Sequence, residues 1–307
     1  MSQQAKQTQR AKPADPRRYE HLTYTRLADP GAIARAAARR ERHPGLGRDQ
    51  ILLVAADHPA RAALAVGDDE FAMGDRLELL DRLREALSRP GVDGVLASPD
   101  IVDDLLLTGD LDGKLIFGSM NRGGLRGSSF EFEDRMTAYT PAALKALGAD
   151  GGKTLTRIGL DDRATARTLQ WTAEAIDALA ALGLYAMVEP FWSRWADGQV
   201  VHDLSPEAVN LSMQVASGLG ATSARTILKV PVVGQMERVM AATTLPTVLL
   251  GGDPNASPDA VYSSWEHALR LPGVVGLTLG RTMLYPRDGD VAQAIDTAAS
   301  LLRRPGR

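Results

Sequence analysis

Two lysines stand where this chain could do amine chemistry. Lys229 lies in the apolar run TILKVP, between Leu228 and Val230, and Lys153 lies in GKTLTRIG. Only six of the 35 basic residues are lysines, the others being Lys6, Lys12, Lys114 and Lys145. Lysine is almost never buried without a partner or a task; the plainer alternative is a strand-end lysine that snorkels into solvent. Two ammonium groups held close in a semi-enclosed mouth disfavour each other's charge, and desolvation acts in the same direction. A neutral amine attacks a ketone to form a Schiff base, whose protonated imine then accepts the electrons of a breaking C–C bond. That chemistry needs no metal, thiol or nucleotide, so no cofactor is expected.

Other residues fit around such a centre. Glu189, in MVEPF, is a candidate proton shuttle during carbinolamine dehydration, or a salt-bridge partner of a barrel cation. Asp57, in AADH, could orient a hydroxyl, pair with Lys153 or Lys229, or merely cap a helix. His58 beside it is a weaker candidate. Lys114 opens its apolar run and belongs at the opposite end. The segments LLGGDP and LTLGRTMLYP suggest an anion cradle: Gly251, Gly252 and Gly280 let backbone N–H groups approach a phosphate, and Arg281 adds a guanidinium. Ordinary strand-to-helix turns are the competing reading. The long Gly/Arg-rich stretch 118–141 places Asn121, Arg122 and Arg126 where a lid or binding loop would lie, to grip a carboxylate or a second phosphate. Phe191, Trp192 and Trp195 wall a pocket, pack internally or form an oligomer contact.

Composition removes several other classes. With 35 Lys+Arg against 38 Asp+Glu, net charge −3 and pI near 6.0, the chain is not an electrostatic nucleic-acid binder or a disordered tail protein. It has no cysteine, hence no disulfide, thiol nucleophile or thiolate metal site. Its five histidines, His21, His43, His58, His202 and His267, are scattered without HxH or HExxH spacing, so a zinc site is unsupported and no metal is expected. No run of 18 apolar residues suggests a membrane span. The polar segment Met1–Arg18 lacks the apolar core of a secretory signal and reads as a mostly disordered leader of a soluble, cytoplasmic protein.

The elements that must position these residues repeat. An Ala/Arg-rich helix is expected over Leu27–Arg42, broken by His43-Pro44-Gly45. From Ile51 onward, short continuous apolar runs alternate with amphipathic stretches, the pattern of strands buried on both faces of a parallel sheet. Eight runs are readable: Ile51–Asp57, Asp93–Ser98, Lys114–Met120, Gly152–Gly159, Leu184–Pro190, Arg225–Pro231, Thr247–Gly252 and Val274–Gly280. Eight strand-helix units make a closed (β/α)8 TIM barrel, which takes about 250 residues. No GxGxxG motif follows the first run, which weakens an open dinucleotide-binding sheet. The expected organisation is residues 1–48 as leader plus helical extension and 49–307 as one α/β barrel domain. Such barrels carry their chemistry at the C-terminal strand ends. That is where Asp57, His58, Asn121, Arg122, Lys153, Arg157, Glu189, Lys229, Gly251, Gly252, Asp253, Gly280 and Arg281 fall.

On AADH, ILKVP, the GG pair and LGRTML, the chain from Ile51 to about Leu301 resembles the class I (Schiff-base) aldolase superfamily. That superfamily includes deoxyribose-phosphate, tagatose-bisphosphate and archaeal-type fructose-bisphosphate aldolases. The resemblance implies that Lys229 is the Schiff-base lysine, that Lys153, Glu189 and Asp57 assist proton transfer, and that Gly252, Gly280 and Arg281 bind phosphate. It implies a small phosphorylated substrate and homo-oligomerisation. The GSMNRGGLRGSSFE loop is similar to a narrower actinobacterial branch encoded among inositol-catabolism genes, which implies cleavage of 2-deoxy-5-keto-gluconate 6-phosphate to dihydroxyacetone phosphate and malonate semialdehyde. Two features depart from the superfamily pattern: Pro59 follows His58 where many relatives have glycine, and Asn121–Arg126 is unlike the better-studied aldolases. The competing classes are a transaldolase, thiolase or isomerase on the same cradle, and a non-catalytic phosphosugar-binding protein.

Overall fold

The computed structural model describes residues 16–122, 124–251 and 257–303. Eight parallel strands close into a barrel, with helices packed around it. The strands are β1 (Ile51–Ala55), β2 (Gly94–Ala97), β3 (Leu115–Ser119), β4 (Gly151–Ile158) and β5 (Tyr185–Ala196), then β7 (Thr226–Pro231), β8 (Thr247–Leu250) and β9 (Val274–Leu279). The extra strand β6 (Gln199–His202) pairs antiparallel with the end of β5. The ring runs β4-β3-β2-β1-β9-β8-β7-β5 and closes through β4–β5. The eight-stranded barrel expected from the apolar runs is therefore present.

Strand alternation divides the apolar residues into two cores. Ile51, Leu53, Ala55, Leu96, Leu115, Phe117, Met187, Ile227 and Val248 fill the barrel interior. Their neighbours, such as Leu52, Val54, Leu228 and Val230, face the helices. Glycines make room where strands crowd. A Cβ on Gly151 would lie 2.6 Å from the Phe117 ring, and one on Gly94 would lie 2.2 Å from the Leu115 carbonyl oxygen.

The N-terminal extension differs from expectation in its bounds. Two helices, Glu20–Ala28 and Ala32–Arg39, replace one over Leu27–Arg42. Pro30 lies between them; it has no N–H, and its ring disfavours a continuous helix. Of the segment read as a leader, residues 1–15 lie outside the described residues, whereas Pro16–Tyr19 forms a 3-10 turn. Tyr19 and Leu22 are buried in the helix-facing core, and the Tyr19 hydroxyl donates to Asp81 at 2.6 Å. Arg40 ties the extension to the barrel through the carbonyls of Lys114 (3.0 Å) and Gly148 (2.8 Å). Lys114 lies at this N-terminal end of the barrel, as expected, and donates to the Val92 carbonyl at 2.6 Å.

The other large departure is β5. The fifth apolar run was expected to stop at Pro190, but the strand continues to Ala196 and doubles back as β6. The two-residue turn is Asp197-Gly198, with φ of 49° and 74°. That left-handed pair is the turn a twisted hairpin favours. Among the described residues no helix is long and apolar enough to cross a membrane.

Candidate active site

The same alternation that fills the barrel interior lifts the polar residues into its C-terminal mouth. Asp57, Ser119, Glu189 and Lys229 each stand two residues beyond an inward apolar side chain: Ala55, Phe117, Met187 and Ile227 respectively. Lys153 stands two beyond Gly151, whose missing side chain leaves room for Phe117. In the ladder, Ser119 pairs with Lys153, and Lys153 with Met187, so Glu189 stands one inward position further along β5 than Lys153 does on β4.

Glu189 bridges the two lysines. Its Oε1 accepts from Lys229 Nζ at 2.8 Å, and its Oε2 pairs with Lys153 Nζ. Lys153 Nζ also lies 3.3 Å from Asp57 Oδ2. Asp57 in turn accepts from the Ser119 hydroxyl at 3.0 Å and pairs with the Arg122 guanidinium, whose Nε donates to Ser119 Oγ at 2.7 Å. All six side chains are buried. Burial, then the Arg122 charge, holds the Lys153 ammonium well below the usual lysine range. Burial alone would raise the Glu189 carboxyl, but the charges of Lys153 and then Lys229 outweigh it and hold the group ionised. A buried amine that parts easily with its proton beside a fixed carboxylate is a pair suited to moving protons.

The cradle segments lie next to this centre. Gly280 ends β9 so closely against β1 that a Cβ there would come within 2.8 Å of His58 Cε1 and 2.9 Å of the Ala55 carbonyl oxygen. Arg281 follows, its Nη1 donating to the Ala65 carbonyl at 3.0 Å. Burial, then the charges of Arg281 and Lys229, keeps the His58 imidazole neutral. Gly251 closes β8, with Thr282 Oγ1 3.6 Å from where its Cβ would stand. Gly252 and Asp253 lie outside the described residues.

The structure reassigns several side chains in the long loop. The Asn121 amide donates to the carbonyl oxygens of Leu155 (2.6 Å) and Asp134 (3.2 Å) and accepts from the Leu155 N–H at 2.7 Å, so it serves the backbone. Arg122, expected to grip substrate, is paired with Asp57. Arg157 is fully buried and held by Asp134, with Nη2 to Oδ1 at 2.7 Å and Nε to Oδ2 at 3.0 Å, and by Glu131 Oε1 at 3.3 Å. These contacts fasten loop 118–141 onto the end of β4. Trp195 packs edge-on against Phe132 and donates to Asp162 at 2.6 Å; with Phe130 and Arg167 they line a surface groove of about 240 Å³ to which neither lysine contributes.

Three neighbours of the site were not foreseen. Ser119 links Arg122 to Asp57. Arg61, on the short turn Pro59–Arg61, reaches toward Glu131. His202, on β6, stacks on Phe191 with ring centres 4.2 Å apart and shares a 2.9 Å hydrogen bond with Ser193. The Asp-Gly turn was the available signal for the β5–β6 hairpin and thus for His202; no sequence pattern marked Arg61.

Comparison with known proteins agrees with this architecture. The crystal structure of Cgl0159 from Corynebacterium glutamicum is 56% identical, with a TM-score of 0.90 over 94% of this chain and 97% of that one. An archaeal fructose 1,6-bisphosphate aldolase shares the fold at 19% identity, with a TM-score of 0.63 over 88% of this chain and 98% of that one. A Schiff-base-forming fructose-1,6-bisphosphate aldolase does so at 19% identity, with a TM-score of 0.62 over 88% of this chain and all of that one. No curated protein matches. The Cgl0159-like family model matches residues 49–299, which span the barrel from its first strand to its last helix, and the chain belongs to that family.

Proposed function

We propose that the protein is a metal-independent class I aldolase that cleaves a phosphorylated ketose or keto-acid through a Schiff base on Lys229. The observation that carries this reading is Glu189 bridging Lys229 and Lys153 at the mouth of the barrel. A distant likeness in fold to Schiff-base aldolases is compatible with it.

In the proposed reaction the Lys229 proton passes to Glu189 Oε1, 2.8 Å away. The freed amine adds to the substrate ketone, whose oxygen takes a proton to give a carbinolamine. Glu189, resupplied through Lys153, protonates the departing hydroxyl, which leaves as water with its bonding pair, and the imine nitrogen becomes cationic. The Asp57–Lys153 pair then receives the proton of the hydroxyl on the carbon at the far end of the scissile bond. That oxygen forms a carbonyl, the C–C pair moves into the iminium, and an aldehyde departs. The remaining enamine takes a proton at carbon, and water returns to release the second product and Lys229. Gly280, Arg281 and the end of β8 at Gly251 are the proposed phosphate anchor. Gly252 belongs to the same proposal on sequence grounds. The narrower substrate reading is 2-deoxy-5-keto-gluconate 6-phosphate.

Borohydride reduction in the presence of this ketone, fructose 1,6-bisphosphate or dihydroxyacetone phosphate, followed by peptide mass spectrometry, tests the proposal. An adduct on Lys229 that disappears in Lys229→Met is expected. Turnover that survives Lys229→Met, or an adduct on another lysine, refutes it.

A further inference from the structure

The buried charges at the mouth do not balance. Asp57 Oδ2 is shared by the Ser119 hydroxyl at 3.0 Å, the Lys153 ammonium at 3.3 Å and the Arg122 guanidinium. Lys153 Nζ stands closer to Glu189 than to Asp57, and Glu189 also takes Lys229. Asp57 is therefore matched by Arg122, and Glu189 serves both lysines. Fully protonated, these five buried groups carry three positive charges and two negative ones.

The groups packed around them supply no spare acid among the described residues. The end of β1 adds His58, the turn after it adds Arg61, and the β5–β6 hairpin adds His202. The end of β4 and loop 118–141 add Arg157 with Asp134 and Glu131, and Arg61 lies 3.7 Å from that same Glu131. Arg126 on the loop and Arg281 at the end of β9 add further positive charge. Burial, then a neighbouring arginine (Arg281 for His58, Arg157 for His202), keeps both imidazoles neutral.

Arg122 is the fixed member of the excess. A guanidinium keeps its proton near neutral pH, and burial lowers this one only to about 10. Its place is set by the backbone: the Met120 N–H donates to the Lys153 carbonyl at 2.9 Å, Asn121 bridges to Met136, and the Arg122 N–H donates to Thr137 Oγ1 at 3.0 Å. Its Nε donates to Ser119 Oγ at 2.7 Å, which holds the fork against Asp57. The excess is relieved most easily where a proton can leave, at one of the two amines.

We propose that Arg122 is a positioning residue: by taking Asp57 as its own counter-ion it leaves the Lys153–Glu189–Lys229 bridge with one carboxylate for two ammonium groups, so that the bridge gives up one proton at lower pH than it otherwise would. The use of that release rests on the aldolase reading. Glu189 accepts the Lys229 proton at Oε1 and, on rotating, delivers it to the lone pair of the deprotonated Lys153 amine. Lys229 is left as the free nucleophile, and no proton leaves the site.

Because the chain has only six lysines, the proton count can be read directly. Protein carrying carbon-13 at lysine Cε is titrated by NMR without substrate over about pH 5 to 10, the range that brackets a lysine depressed from its free value. Lys153→Met and Lys229→Met identify the two bridge signals. In Arg122→Gln the first bridge amine to titrate should do so about one pH unit or more higher, the scale of one charge acting a few ångströms away. Asp57→Asn in addition to Arg122→Gln removes one acid with one cation and restores the original excess, so the midpoint should return to within about half a pH unit of the parent. An arginine with a merely structural role would leave the double variant no closer to the parent than the single one. Asp57→Asn alone should lower the midpoint, and it decides the matter if Arg122→Gln does not fold. A midpoint unmoved in Arg122→Gln, unrestored in the double variant, or unmoved or raised in Asp57→Asn overturns the proposal. These titrations need no turnover, so a missing borohydride adduct on Lys229 refutes the Schiff-base reading without touching the proton count, and the reverse holds as well.

Discussion

Replacing Glu189 with Gln removes the carboxylate that bridges Lys153 and Lys229, while keeping its shape and one acceptor oxygen. Breaking a buried ion pair from one side costs about 3–5 kcal/mol. Lys153 can limit its share of that cost by releasing its proton. Deprotonation costs about 1.4 kcal/mol for each pH unit below about 10.4, so the Lys153 share is capped near 2 kcal/mol at pH 9 and near 6 kcal/mol at pH 6. The sign follows from linkage. An amine whose pKa is depressed on folding binds fewer protons folded than unfolded, so stability rises with pH until the unfolded amine also titrates. Burial and Arg122 already put Lys153 in that class, and loss of Glu189 extends the window to lower pH. Glu189 itself, depressed on folding, contributes stability that is fully present above the unfolded carboxylate range and is lost only as pH falls through its folded value. The destabilisation of Glu189→Gln should therefore be about 3–5 kcal/mol at pH 6 and smaller by at least about 1 kcal/mol at pH 9. Urea unfolding of both proteins at pH 6, 7, 8 and 9, at unchanged m-value, reads this directly. A difference that stays flat or grows with pH would show that Glu189 is not what holds the Lys153 charge. On the aldolase reading the same variant should lose about 10²- to 10⁴-fold in kcat, the usual scale of a general acid-base.

Other expectations follow from single contacts. Gly280→Ala places a methyl group 2.8 Å from His58 and 2.9 Å from the Ala55 carbonyl, so it should cost about 1–3 kcal/mol of stability and weaken inorganic phosphate binding at least several-fold. Thermal unfolding with and without phosphate measures both. Asp134→Asn strips the closest counter-charge from fully buried Arg157 and should destabilise by about 3–5 kcal/mol. Hydrogen exchange should rise first in residues 124–136, and protection unchanged there would contradict the anchoring role of Arg157. His202, held to about 3 by burial and then by Arg157, should show imidazole NMR shifts that stay constant from pH 5 to 8. Because the unfolded histidine binds a proton below about 6.5 and the folded one does not, His202 should lower stability as pH falls from 6.5 toward 3, by at most about 1.4 kcal/mol per unit. His202→Gln should flatten that acid limb.

How much was readable in advance depended on whether a residue's role is set by its own strand or by a neighbour's. The barrel was legible because strands buried on both faces leave continuous apolar runs, eight of them. Glu189 and Lys229 were legible because each interrupts such a run near its C-terminal end, and Lys153 because it is the one other lysine inside a run, although it stands third of the eight residues of β4. For Asn121 and Arg122 the protein partners were not legible, for a physical reason. Position past β3 says that a side chain reaches the mouth, but not what it meets there, and what they meet is the Leu155 backbone and the Asp57 carboxylate. Pro190 obscured the hairpin, since a residue without an N–H commonly ends a strand. Here β5 runs through it, with Pro190 set opposite Thr156, and the Asp197-Gly198 turn was the better guide. Arg61 carried no pattern because a turn arginine is ordinarily solvated; only the path of loop 118–141 encloses it.

The parity of the strands also explains why an apolar floor accompanies the chemistry. Lys229 and Ile227 face inward, whereas Leu228 and Val230 face the helices. A one-residue shift of β7 would bury the lysine among apolar helix contacts and turn Leu228 toward Glu189, so the register is fixed by two cores at once. The inward layer below the lysines, formed by Ala55, Phe117, Met187 and Ile227, excludes water from one side of the charge cluster. Each ion pair above it is consequently stronger, and each unpaired charge more costly, than on an open surface. The chain's overall charge of −3 therefore says little about the mouth, where Asp57 and Glu189 are matched to Lys153, Lys229 and Arg122 at close range.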